Sequence, residues 1–229
     1  MNTLMMKIIW LFAIKHVKTK LSKETNFFRK GFTLAEVLMT LTILGIIAAV
    51  SMVVLLPKIQ DAENKTAFVS TYSVIDQATS QIRADNGGSL KSVFTSNNIL
   101  RDKFKEYLNT VKSCTQGQSL GNCWHNNDGS SKYLNGNPIT SYNTASSGIV
   151  LNNGVLVYLT NSNPNCTSTT YCGLISVDVN GWKGPNTMGK DIYYIWIYEN
   201  NIKPNDSNNC NTSSSGNGCA AKVLMGQNY

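Results

Sequence analysis

Arg29-Lys30-Gly31-Phe32-Thr33-Leu34-Ala35-Glu36 is the stretch of this 229-residue sequence on which chemistry is easiest to place. Two cations precede a glycine, and a lone carboxylate follows it inside a greasy run. Gly31 leaves the backbone open to close approach. Arg29 and Lys30, directly ahead of an apolar run, belong at the cytoplasmic surface of a membrane. Glu36 is the single charge in the 25 residues from Phe32 to Leu56, FTLAEVLMTLTILGIIAAVSMVVLL. A carboxylate one turn into a membrane helix is costly and calls for a partner. The plainer alternative is a charge snorkelling from a helix end.

Other reactive side chains are sparse. Of two histidines, His16 lies in the basic N-terminal segment, leaving His125 alone in the body. The six cysteines, Cys114, Cys123, Cys166, Cys172, Cys210 and Cys219, contain no CxxC and lack zinc-finger spacing. An even number behind a membrane-type segment reads as disulfides in an oxidising compartment. Several pairings are possible. The simplest is local, Cys114 with Cys123, Cys166 with Cys172 and Cys210 with Cys219, each pinning a short polar loop. Asp178, Asn180 and Asp191 offer oxygen ligands that suit calcium. Their spacing is not that of an EF-hand loop, and Asp-x-Asn-Gly is also an ordinary tight turn, the preferred reading. With no nucleophile elbow or phosphate loop, the sequence does not read as an enzyme, and no cofactor is expected.

The elements that would carry these residues follow from pattern. The Phe32–Leu56 run is long enough to cross a bilayer core of about 30 Å as a helix. Basic residues before it and few after it place its N-terminus in the cytoplasm and export the rest. After Pro57, the residues Phe68, Tyr72, Ile75, Ala78 and Ile82 recur at helical spacing on an otherwise polar segment. Asn86-Gly87-Gly88 supplies a stop. If Pro57 only kinks the path, residues 33–85 form one helix of about 80 Å. A second helix is expected over about 98–112, capped by Asn97 or Asn98, with Leu100, Phe104, Leu108 and Val111 on one face. Strands follow: a hairpin of Ser147–Leu151 and Val155–Leu159 around Asn152-Asn153-Gly154, then Leu174–Val179 and Asp191–Tyr198. In the last of these, Tyr193, Tyr194, Trp196 and Tyr198 put aromatics on both faces, for packing on the long helix and for a subunit contact. Residues 205–218 form a polar, Asn- and Ser-rich loop.

Composition removes other classes. Charged residues are only 14% of the chain, against roughly 25% in an average soluble protein. The net charge of +7 is almost all in residues 1–31, which carry +6, while the remainder carries 13 basic and 12 acidic groups. No basic patch is left in the body for a row of phosphates, so nucleic acid is not an expected partner. Upstream, Ile8–Ile14 is a short apolar stretch without a small-x-small cleavage site. It reads as part of a long leader or as sequence translated ahead of a later start.

The segment RKGFTLAE followed by 20 apolar residues resembles the processing site and first helix of the type IV pilin superfamily, which includes type II secretion pseudopilins. The resemblance is strong over about residues 29–60 and weaker in the Cys114–Cys123 loop, the GIVLNNGVLVYL hairpin and residues 177–191. It implies that a prepilin peptidase and methyltransferase cuts after Gly31 and methylates the amine of Phe32. It also implies that Glu36 meets the free amine of a neighbouring subunit during assembly. Pro57 departs from the family, standing about one turn later than in many members. The implied fold is α+β: a long N-terminal α-helix packed on a small antiparallel β-sheet with disulfide-pinned loops. The implied parts are a cleaved leader (1–31), a transmembrane or filament-core helix (32–56) and a periplasmic globular domain (57–229), whose residues 57–86 are its amphipathic helix. Implied partners are other pilin or pseudopilin subunits and an inner-membrane assembly platform. The protein is expected in the inner membrane, crossing it once, and then in a filament in the periplasm or at the cell surface. The alternative is a minor pilin acting as a tip adhesin or DNA-uptake module. Because some pseudopilins bind calcium in a C-terminal loop, the resemblance also bears on Asp178, Asn180 and Asp191.

Overall fold

The computed structural model describes residues 31–227, without the side chain of Val54. Arg29, Lys30, His16 and the Ile8–Ile14 stretch lie outside the described residues. The chain divides into two units, the first ending at Met52 and the second running from Val53 onward.

One helix, α1 (Leu34–Asp85), runs through both. Pro57 lies inside it, and its cost is the hydrogen bond that its missing N–H cannot make to the carbonyl four residues back. The helix opens on Thr33-Leu34-Ala35-Glu36, in which threonine and glutamate cap each other (distances below). It closes after Asp85, where Gly88 N donates to Arg83 O at 2.9 Å and Gly87 takes a φ of +75°. That left-handed turn is the conformation glycine adopts without steric cost.

In the first unit the apolar side chains of α1 stand exposed all round, from Leu34 and Leu38 through Ile46 and Met52. In the second, the predicted stripe is buried: Phe68, Ile75 and Ile82 are fully covered and Ala78 nearly so. They pack on one face of a six-stranded antiparallel meander, β1 (Thr110–Cys114), β2 (Ser147–Leu151), β3 (Leu156–Asn161), β4 (Gly173–Asp178), β5 (Ile192–Ile197) and β6 (Ile202–Pro204), in that spatial order. Because strand residues alternate between faces, Ile149, Val157, Ile175, Val177, Tyr193, Ile195 and Ile197 point inward to α1. The Tyr193 ring stacks on Phe68 at 4.1 Å. A second helix, α2 (Asn97–Tyr107), adds Leu100 and Phe104 to the same core.

The opposite face is also covered over part of its width. Val150, Leu156, Tyr158 and Ile192 form a second cluster with Cys123, Trp124, Ile139, Tyr142 and Met188. Trp124 lies stacked over Tyr158 at 5.2 Å. The loop comes so near β2 that a Cβ on Gly148 would stand 2.8 Å from the Cys123 Cβ.

Several expected boundaries move. The second helix stops at Tyr107 rather than near 112, and its cap is Ser96, whose Oγ accepts from Ile99 N at 3.2 Å. Asn97 instead donates its Nδ2 to Ala145 O at 2.7 Å. Val111 belongs to β1, where it is exposed. The reason is competition: pairing of Thr110–Cys114 with β2 satisfies the backbone that a longer helix would otherwise have used. Strands β1 and β6 and the short α3 (Cys219–Leu224) were not expected, yet α3 brings Ala220 and Val223 into the main core.

Candidate functional site

The residues singled out for processing gather at the start of α1. Gly31, Phe32 and Thr33 are outside any helix or strand, and the helix begins one residue later. Phe32 is 87% exposed, and nothing lies within 4 Å of where a Cβ on Gly31 would be. A bond outside any helix or strand can enter a protease cleft without unwinding a helix first.

Thr33 and Glu36 form a reciprocal cap. Glu36 N donates to Thr33 Oγ1 at 3.2 Å, while Glu36 Oε2 accepts from Thr33 N at 3.1 Å and from Thr33 Oγ1 at 3.0 Å. This is a capping box, S/T-x-x-E, in which two donors otherwise stranded at a helix start are satisfied together. The positive end of the helix dipole favours the carboxylate there. Reading Glu36 only as a costly intramembrane charge missed this second role, although Thr33-Leu34-Ala35-Glu36 spells it in the sequence. Beyond it, α1 is long and apolar enough to cross a membrane by length and composition.

In the body, the structure joins Cys114 to Cys123, Cys166 to Cys172 and Cys210 to Cys219, with Cα–Cα distances of 6.1, 4.7 and 4.8 Å. Among the described residues no cysteine is free. The first bridge ties the end of β1 to the loop that covers the sheet's outer face. The third ties the polar 205–218 segment to α3.

Asp178, Asn180 and Asp191 do meet, and they meet His125, the one histidine of the body. His125 is buried, with Nε2 2.7 Å from Asp178 Oδ2 across 53 residues of sequence. Asp178 Oδ1 accepts from Asn180 N at 3.2 Å. Asp191 accepts from Asn186 N at 2.8 Å, from Asn180 Nδ2 at 3.2 Å and from Thr187 N. Both carboxylates are fully buried. Burial pushes the Asp178 carboxyl above its ordinary range. Burial, and then the nearby Asp178 charge, raise Asp191 to about 6. The carboxylate oxygens are engaged by internal N–H donors, the arrangement of a self-closed turn. Among the described residues no group of three or more His, Cys, Asp or Glu side chains is placed to hold a metal ion. No sequence signal links His125 to Asp178, because the loop that carries it is brought there only by folding over the sheet.

Residues 27–54 match the family model described as the prokaryotic N-terminal methylation motif, which is the signature of type IV pilins and pseudopilins. No curated protein and no solved structure matches the chain. The motif marks a structural, pilin-type protein and implies processing by a prepilin peptidase and assembly with other pilins. The apolar helix behind it fits the membrane anchor of a prepilin.

Proposed function

We propose that this type IV pilin-like precursor is cut between Gly31 and Phe32, methylated on the new Phe32 amine, and built into a type IV pilus or type II secretion pseudopilus through its apolar helix. One observation carries the reading: the exposed, non-helical Gly31–Phe32 bond directly precedes a capped helix that, Glu36 apart, carries no charge as far as Leu56 and exposes apolar side chains on every side. Such a helix is at home in lipid. It can leave lipid only for an equally apolar place, and the packed helices of a filament core provide one.

Glu36 then acts twice. Inside the subunit it caps its own helix through Thr33. Between subunits it pairs with the Phe32 amine of a neighbour, since the cost of a carboxylate in an apolar core is relieved by an opposite charge. The body, facing the periplasm, displays its disulfide-pinned loops on the filament surface. Substrate chemistry by this chain is not part of the reading.

A role as a minor, tip-located pilin is the second reading, and one surface favours it. Beyond the loop that covers the outer sheet face, Tyr171 lies over Trp196 at 4.3 Å and Lys203 Nζ sits 4.7 Å from the Tyr198 ring. Copy number along purified filaments separates the two readings.

The decisive experiment is the mass of the N-terminal peptide of protein taken from its native membrane or filament fraction. A peptide starting at Phe32 with one added methyl is the expected result. A peptide starting upstream of Gly31 would mean a static anchor and would end the filament reading.

A further inference from the structure

Gln60 lies four positions along α1 from the end of the apolar run at Leu56, a rise of about 6 Å. A headgroup layer flanks each side of the bilayer core with a thickness of about 5–8 Å. If the Phe32–Leu56 run fills the core, Gln60 stands within that layer. Gln60 Nε2 donates to Gly184 O at 3.0 Å, which ties the turn Asn180-Gly181-Trp182-Lys183-Gly184-Pro185 to the same level.

The turn is built to stay there. Asn180 Nδ2 donates to Gly184 O at 3.3 Å and to the buried Asp191 carboxylate. Gly181 has a φ of +70°, and a Cβ on it would lie 2.4 Å from Gly154 O in the β2–β3 hairpin. That clash makes glycine the residue that lets turn and hairpin close on each other. Trp182 lies edge-on to His125, with ring centroids 5.3 Å apart. Yet Trp182 is 52% exposed, while Trp124 is fully buried. Lys183, next to it in sequence, is exposed, and on α1 so are Lys58 and Ile59, just past the apolar run. An exposed tryptophan next to a lysine, on a turn tied to the helix one turn past an apolar run that itself ends in an exposed lysine, has the chemistry of a bilayer interface. Indole rings settle at the headgroup level, and cations there gain from anionic lipid.

We propose that the Asn180–Pro185 turn docks on phospholipid headgroups in the membrane-anchored subunit, with the Trp182 ring in the interfacial layer and Lys183 and Lys58 against lipid phosphates. The docked head holds the subunit at a set depth before assembly. This rests on the reading of Phe32–Leu56 as a membrane span.

The test is fluorescence quenching of the full chain in vesicles of phosphatidylethanolamine and phosphatidylglycerol carrying lipids brominated at a shallow acyl position. The Trp182 contribution is the difference between wild type and Trp182→Phe, with Trp182→Tyr as a second variant and an unchanged melting midpoint as the folding control. That difference is expected to fall by about twofold or more with the brominated lipid, as an interfacial indole requires. Lys58→Glu with Lys183→Glu should weaken the quenching in these vesicles and leave it unchanged in phosphatidylcholine. A difference signal that resists bromine in a chain that floats with the vesicles overturns the docking and spares the membrane span. A chain that does not float overturns both. Quenching absent in vesicles, with a Trp182 spectral shift only on filament formation, would assign the turn to a second copy of the chain and overturn the lipid proposal.

Discussion

The two ends of α1 are the same secondary structure made for different solvents. From Leu34 to Met52 the helix is apolar on every side and its large apolar side chains stand exposed. From Asn64 to Ile82 one stripe is buried against the sheet, while Val69 and Val74 remain partly open on the other side. An all-round apolar helix needs lipid or other helices around it, whereas a striped one needs a single face of protein. The first half is therefore stable only in company, and the second is stable within the chain. Processing and assembly chemistry belongs to the half that cannot satisfy itself.

That contrast can be broken at its strongest point by Gly31→Glu, which should abolish the mature form and leave precursor accumulating on an immunoblot. Filament incorporation that survived the change would refute the mechanism. Glu36→Ala should separate the steps, with cutting retained and incorporation into sheared filaments reduced by an order of magnitude or more, because the apolar core would lose its charge partner. Equal incorporation would reduce Glu36 to its capping role.

In the second half, Phe68→Ala removes a fully buried ring stacked on Tyr193 and should cost about 3–5 kcal/mol of unfolding free energy. Processing at Gly31 should be untouched. Chemical denaturation gives the first number and N-terminal mass the second. A loss below about 1 kcal/mol would mean that the stripe is not the core contact described, since a fully buried aromatic ring cannot be deleted so cheaply.

A smaller effect comes from the buried carboxylates. Asp191, raised to about 6 by burial and by Asp178, binds a proton more tightly folded than unfolded, where its pKa is about 3.9. Its contribution is full below the unfolded value and is lost as pH rises through the folded one. The body should therefore be more stable at pH 5 than at pH 7 by up to about 1–2 kcal/mol from this group. Asp191→Asn should flatten that slope in thermal melts, and an equal slope in the variant would show that another group sets it. The smallest expected effect is none: calcium against EGTA should leave the midpoint of the body unchanged, because the oxygens of Asp178 and Asp191 are held by internal donors. An upward shift with calcium would make Asp178, Asn180 and Asp191 a cation site.

Legibility in the sequence followed the range of the interaction. The Phe68–Ile82 stripe and strands β2 to β5 were readable because their periodicity is local. Strand β1 was read as the tail of a helix, since Leu108 and Val111 continue the spacing of Leu100 and Phe104. Its pairing partner begins more than thirty residues away, at Ser147. Strand β6, with three residues, and α3, with six, are too short to carry a period of their own. At the processing site, both the exposed glycine and the capping box were written in eight consecutive residues, although only the first was read.

What the sequence determined by itself was the chain's relation to its surroundings: a cation pair, a glycine, a lone carboxylate and an apolar run that match the methylation motif and set out a cap and an apolar helix in order. What only the tertiary structure decided was which distant groups meet. His125 finds Asp178, Gly148 makes room for Cys123, and Gln60 ties the Trp182 turn to α1. The first kind of information is carried by neighbours along the chain, where a few residues fix the helix and its polarity. The second depends on loops closing over a sheet, where any of many side chains could have arrived, and only packing chooses one.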